Sequence, residues 1–221
     1  MKFFSIAFFV LTLVIVSCNS EKKEAAKQPF CNDTSCLTEP LVVKSETAGK
    51  PFIRISFKDC KIDSIHTEKG GMGVIKDIIF AEFIPNEIRP SKEAMKIDII
   101  DGKYAWLRFN DCATGRGYAA KLNFDKGINS QKLTTAINNF DPKYKVEDGL
   151  VAYYDNTFIY VQNMATEKVA KQLLTDVGVR NHDVNDPHSL IDSVNITKQN
   201  LYAKILFEGK TIEHKKALEF K

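Results

Sequence analysis

The amino-acid sequence predicts an all-β protein built from repeated antiparallel units of three to four short strands. Three observations carry that reading. Phe52–Cys60, Tyr104–Cys112 and Asn156–Met164 align without gaps at a constant offset of about 52 residues. Each copy alternates apolar with other side chains, as a half-buried strand does, and then runs into a polar turn. Asp101-Gly102 and Asp148-Gly149, dipeptides suited to tight hairpin turns, separate further alternating runs.

Composition sets the bounds. The 221 residues are 44% hydrophobic and 27% charged, which is too apolar and too balanced for a disordered chain. Basic residues number 31 against 28 acidic ones, with no basic block, so a nucleic-acid partner is not expected.

At the start of the chain, Lys2 precedes a nearly unbroken apolar run, Phe3 to Val16, interrupted only by Ser5 and Thr12. The run is short for a finished membrane span and suits the core of a signal peptide covering residues 1–17. It ends in Ile15-Val16-Ser17-Cys18, which resembles the lipobox of bacterial lipoproteins. The resemblance implies cleavage before Cys18, acylation of its thiol and amino group (palmitate among the acyl groups) and attachment to the cell envelope membrane. Two or more acyl chains anchor stably where one is reversible. An ordinary signal peptide or an N-terminal anchor is the alternative. Residues 18–28 are polar, of mixed charge and free of large apolar groups, a composition expected of a disordered tether. In the same family an Asp after the lipid cysteine retains the protein in the inner membrane. Asn19 stands there, which implies the outer membrane.

Residues 29–221 are expected to form a single β-rich domain. Beyond Cys18 its cysteines are Cys31, Cys36, Cys60 and Cys112, four in a compartment that permits disulfides. The simplest of the three possible pairings is a local Cys31–Cys36 bridge with Cys60–Cys112 as the second. Cys60 and Cys112 hold equivalent repeat positions, and that bridge needs their Cα atoms within about 7 Å. Zinc is disfavoured, because the only close pair is Cys-x4-Cys and no spaced His pair accompanies it.

Strands are further expected at 95–100, 117–124, 150–154, 189–197 and 211–220, and a weaker fourth repeat copy at Asn200–Phe207. Units of this length and content are similar to β-propeller blades, a resemblance carried most by 148–168; a β-sandwich or a distorted barrel uses the same hairpins. Two segments compete as helices. Ser130–Phe140 offers Ser130 as a cap with Leu133, Ile137 and Phe140 on one face. Ala165–Val177 places Val169, Ala170, Leu173 and Leu174 at helical spacing, whereas the repeat alignment makes 169–174 a strand.

Candidate chemistry is sparse. Asn181–His188 holds His182, Asp183, Asp186 and His188, a weak metal candidate that lacks the Gly and terminal Glu of a calcium loop and reads better as a solvated turn. Gly70–Gly73 lacks the Lys-Ser/Thr of a phosphate loop and reads as a hairpin tip. Cys60 with His66 is a remote thiol–imidazole pair. Trp106, Tyr104, Tyr118, Tyr153, Tyr154, Phe158 and Tyr160 read as β core before they read as a sugar- or peptide-binding surface. Asp63-Ser64-Ile65 and Asp192-Ser193-Val194 resemble the O-glycosylation tripeptide of Bacteroidota envelope proteins. No cofactor is expected. The leading expectation is a lipid-anchored, non-catalytic binding or scaffold module with a protein or glycan partner. The alternative is an envelope hydrolase acting on polysaccharide or peptide.

Overall fold

The computed structural model describes residues 30–33, 35–155, 157–174, 190–207 and 209–221. They form fifteen strands and one single-turn helix. A four-stranded sheet holds β1 (Leu41–Lys44), β2 (Phe52–Lys58), β3 (Lys61–Lys69) and β4 (Gly73–Ile79) in that order. The helix α1 (Phe80–Phe83) follows. A seven-stranded sheet runs from β5 (Met95–Ile100) through β6 (Tyr104–Asn110), β7 (Gly117–Asn123), β8 (Gln131–Ile137), β10 (Leu150–Tyr154) and β11 (Phe158–Asn163) to β12 (Val169–Leu173). The third sheet orders β15 (Lys210–Ala217), β14 (Asn200–Phe207), β13 (Ile191–Ile196) and β9 (Tyr144–Val146). Every pairing is antiparallel except β9 with β13.

Each repeat core is the middle strand of a three-strand meander: β2 between β1 and β3, β6 between β5 and β7, β11 between β10 and β12. The weaker fourth copy, β14, sits likewise between β13 and β15. Alternation along β2 places Ile53 and Ile55 in the core and Arg54 in solvent. Burying each isoleucine stabilises by about 1.5–3 kcal/mol.

The second and third copies match down to their turns. In each, an Asp or Asn at the start of the turn accepts backbone N–H groups two and three residues on: Asp111, just past β6, from Ala113 and Thr114, and Asn163, the last residue of β11, from Ala165 and Thr166. The N–H of Gly115 returns to Asp111 O and that of Glu167 to Asn163 O, both in the left-handed region at φ 78° and 60°. The first copy turns more tightly. Asp59 and Cys60, at φ 50° and 61°, make a two-residue hairpin between Lys58 and Lys61.

Three buried clusters join consecutive meanders. Ile53, Ile55 and Ile65 of the first pack with Leu107, Phe109 and Leu122 of the second. Tyr104, Trp106 and Ala119 of the second share a smaller cluster with Val151 and Met164 of the third. Ala152, Ile159 and Val161 of the third pack with Val194, Leu201 and Ile205 of the fourth. The inner meanders thus bury both faces, which is why β6 is buried from Tyr104 through Asn110. β8 pairs with β7 and, through Ala152↔Ile137 and Tyr153↔Ala136, with β10, so the second and third meanders merge into one sheet.

Two helical expectations are corrected. Within 130–140 the chain forms β8, and 165–168 is a turn that leads into β12, residues 175–177 of that expectation lying outside the described residues. On β8 the buried Leu133 and Ala136 are three residues apart because the pairing with β7 shifts register between Gly117 and Ala119. An extra residue in a bulged strand turns a spacing of two into one of three, which imitates a helix face.

Candidate binding site

The segment 30–40 crosses the ends of the first two meanders, where their equivalent turns lie. Phe30 N–H donates to Cys112 O at 2.8 Å. Disulfides then join Cys31 to Cys112 and Cys36 to Cys60, with Cα separations of 4.9 and 4.6 Å. The expected Cys31–Cys36 and Cys60–Cys112 bridges are therefore corrected. Cys31 and Cys36 each meet a different one of two adjacent turns. The repeat placed those turns side by side, within reach of both cysteines.

The connection from α1 to β5 completes the wall. Arg89 N–H donates to Asp111 Oδ1 at 3.0 Å, and Cys112 N–H donates to Arg89 O at 2.8 Å. Ala94 O then accepts from Asn110 N–H at 3.0 Å, fixing this irregular stretch along the end of β6. Strap, turns and connection enclose a cavity of about 480 Å³. Its polar lining is Asp33, Ser35, Asp59, Lys61 and Arg89, with Cys36, Cys60, Cys112, Pro90 and Ala113 forming apolar wall. Ser35 donates its backbone N–H to Asp33 Oδ1 at 2.8 Å, and hydrogen bonding from Ser35 holds the Asp33 carboxyl below the usual range. Lys61 Nζ reaches Glu87 Oε1 at 2.7 Å and lowers the Glu87 pKa in the same way. These groups offer both charge signs and a hydroxyl to a small polar ligand. The cysteine sulfurs in the wall are consumed in disulfides and supply no thiolate.

Other sequence candidates fall as follows. Cys60 holds no thiol for His66. The His66 ring instead lies on the outer face of β3, with Nδ1 2.6 Å from Asp77 and Nε2 3.6 Å from Glu68. Gly70–Gly73 form the tip between β3 and β4. Tyr104, Trp106, Tyr118 and Tyr154 are core, while Tyr153 and Tyr160 stack, half-buried, with centroids 4.9 Å apart. Ser64 lies on β3 and Ser193 on β13. His182, Asp183, Asp186 and His188 lie outside the described residues, as does Cys18. Among the described residues no group of three or more His, Cys, Asp or Glu could hold a metal, and no helix is long and apolar enough to cross a membrane.

Sequence reasoning missed Asp33, Ser35, Asp59, Lys61, Arg89 and Pro90 as neighbours. The available signal was the repeat itself: cysteines at equivalent turns, with two more cysteines five residues apart upstream. Comparison with known proteins finds no similar family model, curated protein or solved structure.

Proposed function

We propose that this chain is a lipid-anchored envelope protein, held through Cys18, whose β domain is a non-catalytic binding or scaffold module. Its four meanders are read as propeller-like units in series, because consecutive units share buried clusters, although the second and third are also joined through β8 into one sheet. The observation that carries the reading is the double disulfide strap. Paired cysteines of this kind belong to chains that mature in an oxidising compartment. The strap also welds the segment that follows the tether to two separate hairpins, so a pull on the anchor is borne by the sheets and not by a peeling terminus. The cavity beneath it offers a fixed polar recess for a small ligand or a partner's side chain. Outer-membrane placement rests on Asn19 after the lipid cysteine.

Metabolic labelling with a fatty-acid analogue tests the anchor. Wild type should label and fractionate with membranes, and Cys18→Ser should lose both properties. Equal labelling of the two, or release of products from envelope polysaccharide or peptide by the purified chain, overturns this reading.

A further inference from the structure

The two bridges of the strap differ in how they are protected. Cys31 and Cys112 are 6% and 7% exposed and sit in a buried cluster with Ala94, against Phe30 and Phe140. Cys36 is exposed and Cys60 half-buried, and both line the cavity under the strap. At about 480 Å³ that cavity is within the range of small-molecule pockets, ~300–1,000 Å³. The bridges also differ in what depends on them. A pull arriving from the N-terminus meets Cys31 first and passes into Cys112, so Cys36–Cys60 lies beyond the load. The hairpin that carries Cys60 is closed by its own ladder, from Phe52↔Glu68 to Lys58↔Lys61. Among the described residues, 36–40 make no hydrogen bond to another segment, so the bridge is what ties this stretch down. Opening a loop with a separation of 24 residues also returns less chain entropy than opening one of 81.

We propose that Cys36–Cys60 is a thiol-exchange site, reduced by a small dithiol while Cys31–Cys112 stays closed. A thiolate of the dithiol attacks Sγ of Cys36, the cysteine open to solvent. A new S–S bond forms there, the Cys36–Cys60 bond breaks, and Cys60 leaves as a thiolate that takes a proton from water. The second thiol of the reagent loses its proton to water and attacks the reagent's own sulfur in the mixed disulfide. Cys36 leaves as a thiolate and is protonated, and the reagent departs as a cyclic disulfide, so two electrons pass from dithiol to cystine. Charge does not choose the bond, because the cavity lining carries Asp33 and Asp59 as well as Lys61 and Arg89. Access chooses it. Once the bond is open, residues 32–40 stay fastened at Cys31 and at β1, and the wall that Asp33, Ser35 and Cys36 give the cavity is released. The proposal needs neither the lipid anchor nor an occupant of the cavity.

The test uses the full oxidised chain in non-ionic detergent with dithiothreitol as the dithiol. Free thiols are trapped at intervals with N-ethylmaleimide and assigned by mass spectrometry of digests. Cys36 and Cys60 should become alkylatable together, about tenfold or more faster than Cys31 and Cys112. The β circular dichroism signal should persist in that singly opened form, and amide hydrogens within 32–40 should exchange faster. With 2-mercaptoethanol, which cannot cyclise, the trapped adduct should sit on Cys36. Equal rates for the two bridges, earlier release of Cys31 and Cys112, an adduct on Cys60, unchanged exchange within 32–40, or loss of the β signal when Cys36–Cys60 opens each overturns the proposal.

Discussion

Tyr104 joins two meanders through a single hydroxyl. It stands at the start of β6, donates to Met164 O in the turn after β11, and carries Lys121 over its ring at 4.2 Å. Burial, reinforced by the nearby Glu167 and Asp101 charges, pushes its pKa up to about 12. Below pH 10 folded and unfolded chains both keep the proton, and the contribution is whole. Between the ordinary value of 10.0 and about 12 the unfolded chain ionises first, so stability falls as pH rises. Urea unfolding at stepped pH should show this fall, and Tyr104→Phe should make it shallower, the remainder coming from Tyr160 and the other tyrosines whose pKa values are raised. The same variant should lose about 1 kcal/mol at neutral pH with its buried hydrogen bond. Tyr104 was legible in the sequence as an aromatic of the repeat core. Its partner was not, because alternation tells which face a side chain takes and not which neighbouring unit covers that face.

At the scale of elements, the repeat was legible because a strand writes its burial into every second residue. β2, β11 and β14 were readable on that basis, β6 through its gapless alignment with β2 and β11, and the hairpins at Asp101-Gly102 and Asp148-Gly149 through their turn residues. β8 was not, because its bulge spaces Leu133 and Ala136 as a helix would. The bulge depends on Gly117 at the start of β7. A Cβ there would stand 2.2 Å from Ala136 O and 3.2 Å from Asn138 Nδ2, so the neighbouring backbone would have to move. Asn138 itself is buried, and its amide lies 2.9–3.1 Å from Phe109 O, Asn110 Oδ1 and Tyr118 O, tying the ends of β6, β7 and β8 together. Gly117→Ala should therefore cost about 2–3 kcal/mol, read as a lowered urea midpoint with an unchanged slope. A loss below about 0.5 kcal/mol, the range of ordinary surface substitutions, would show that the bulge tolerates a side chain.

For the whole molecule, order along the chain and order in space agree except at two places. β9 leaves the stretch between the second and third meanders to pair in parallel with β13 of the fourth, where Tyr144 Oη donates to Ile191 O at 3.0 Å. The N-terminal strap is the other exception. Its pairing was not legible, since closing the shortest loop looks favourable until the neighbouring turns supply partners. The cavity was equally hidden, being made of two or three residues from each of four separate segments.

The strap also bears on how the molecule comes to be made. Its bridges are nested: Cys31–Cys112, separated by 81 residues, encloses Cys36–Cys60, separated by 24. A chain emerging from its N-terminus presents Cys31 and Cys36 to an oxidant before any native partner exists, and short loops close fastest. The first bond to form is then a wrong one, and it occupies both cysteines of the strap at once. Maturation becomes an isomerisation problem, solved by thiol exchange once Cys60 and Cys112 arrive. Reduced, unfolded protein oxidised without an isomerase should accumulate a Cys31–Cys36 species, visible by mass spectrometry of acid-quenched digests. A disulfide isomerase should convert it to the nested pair. In a cell lacking such an enzyme, the yield of this protein would be set by the rate of bond reshuffling, with the stability of its sheets having little influence.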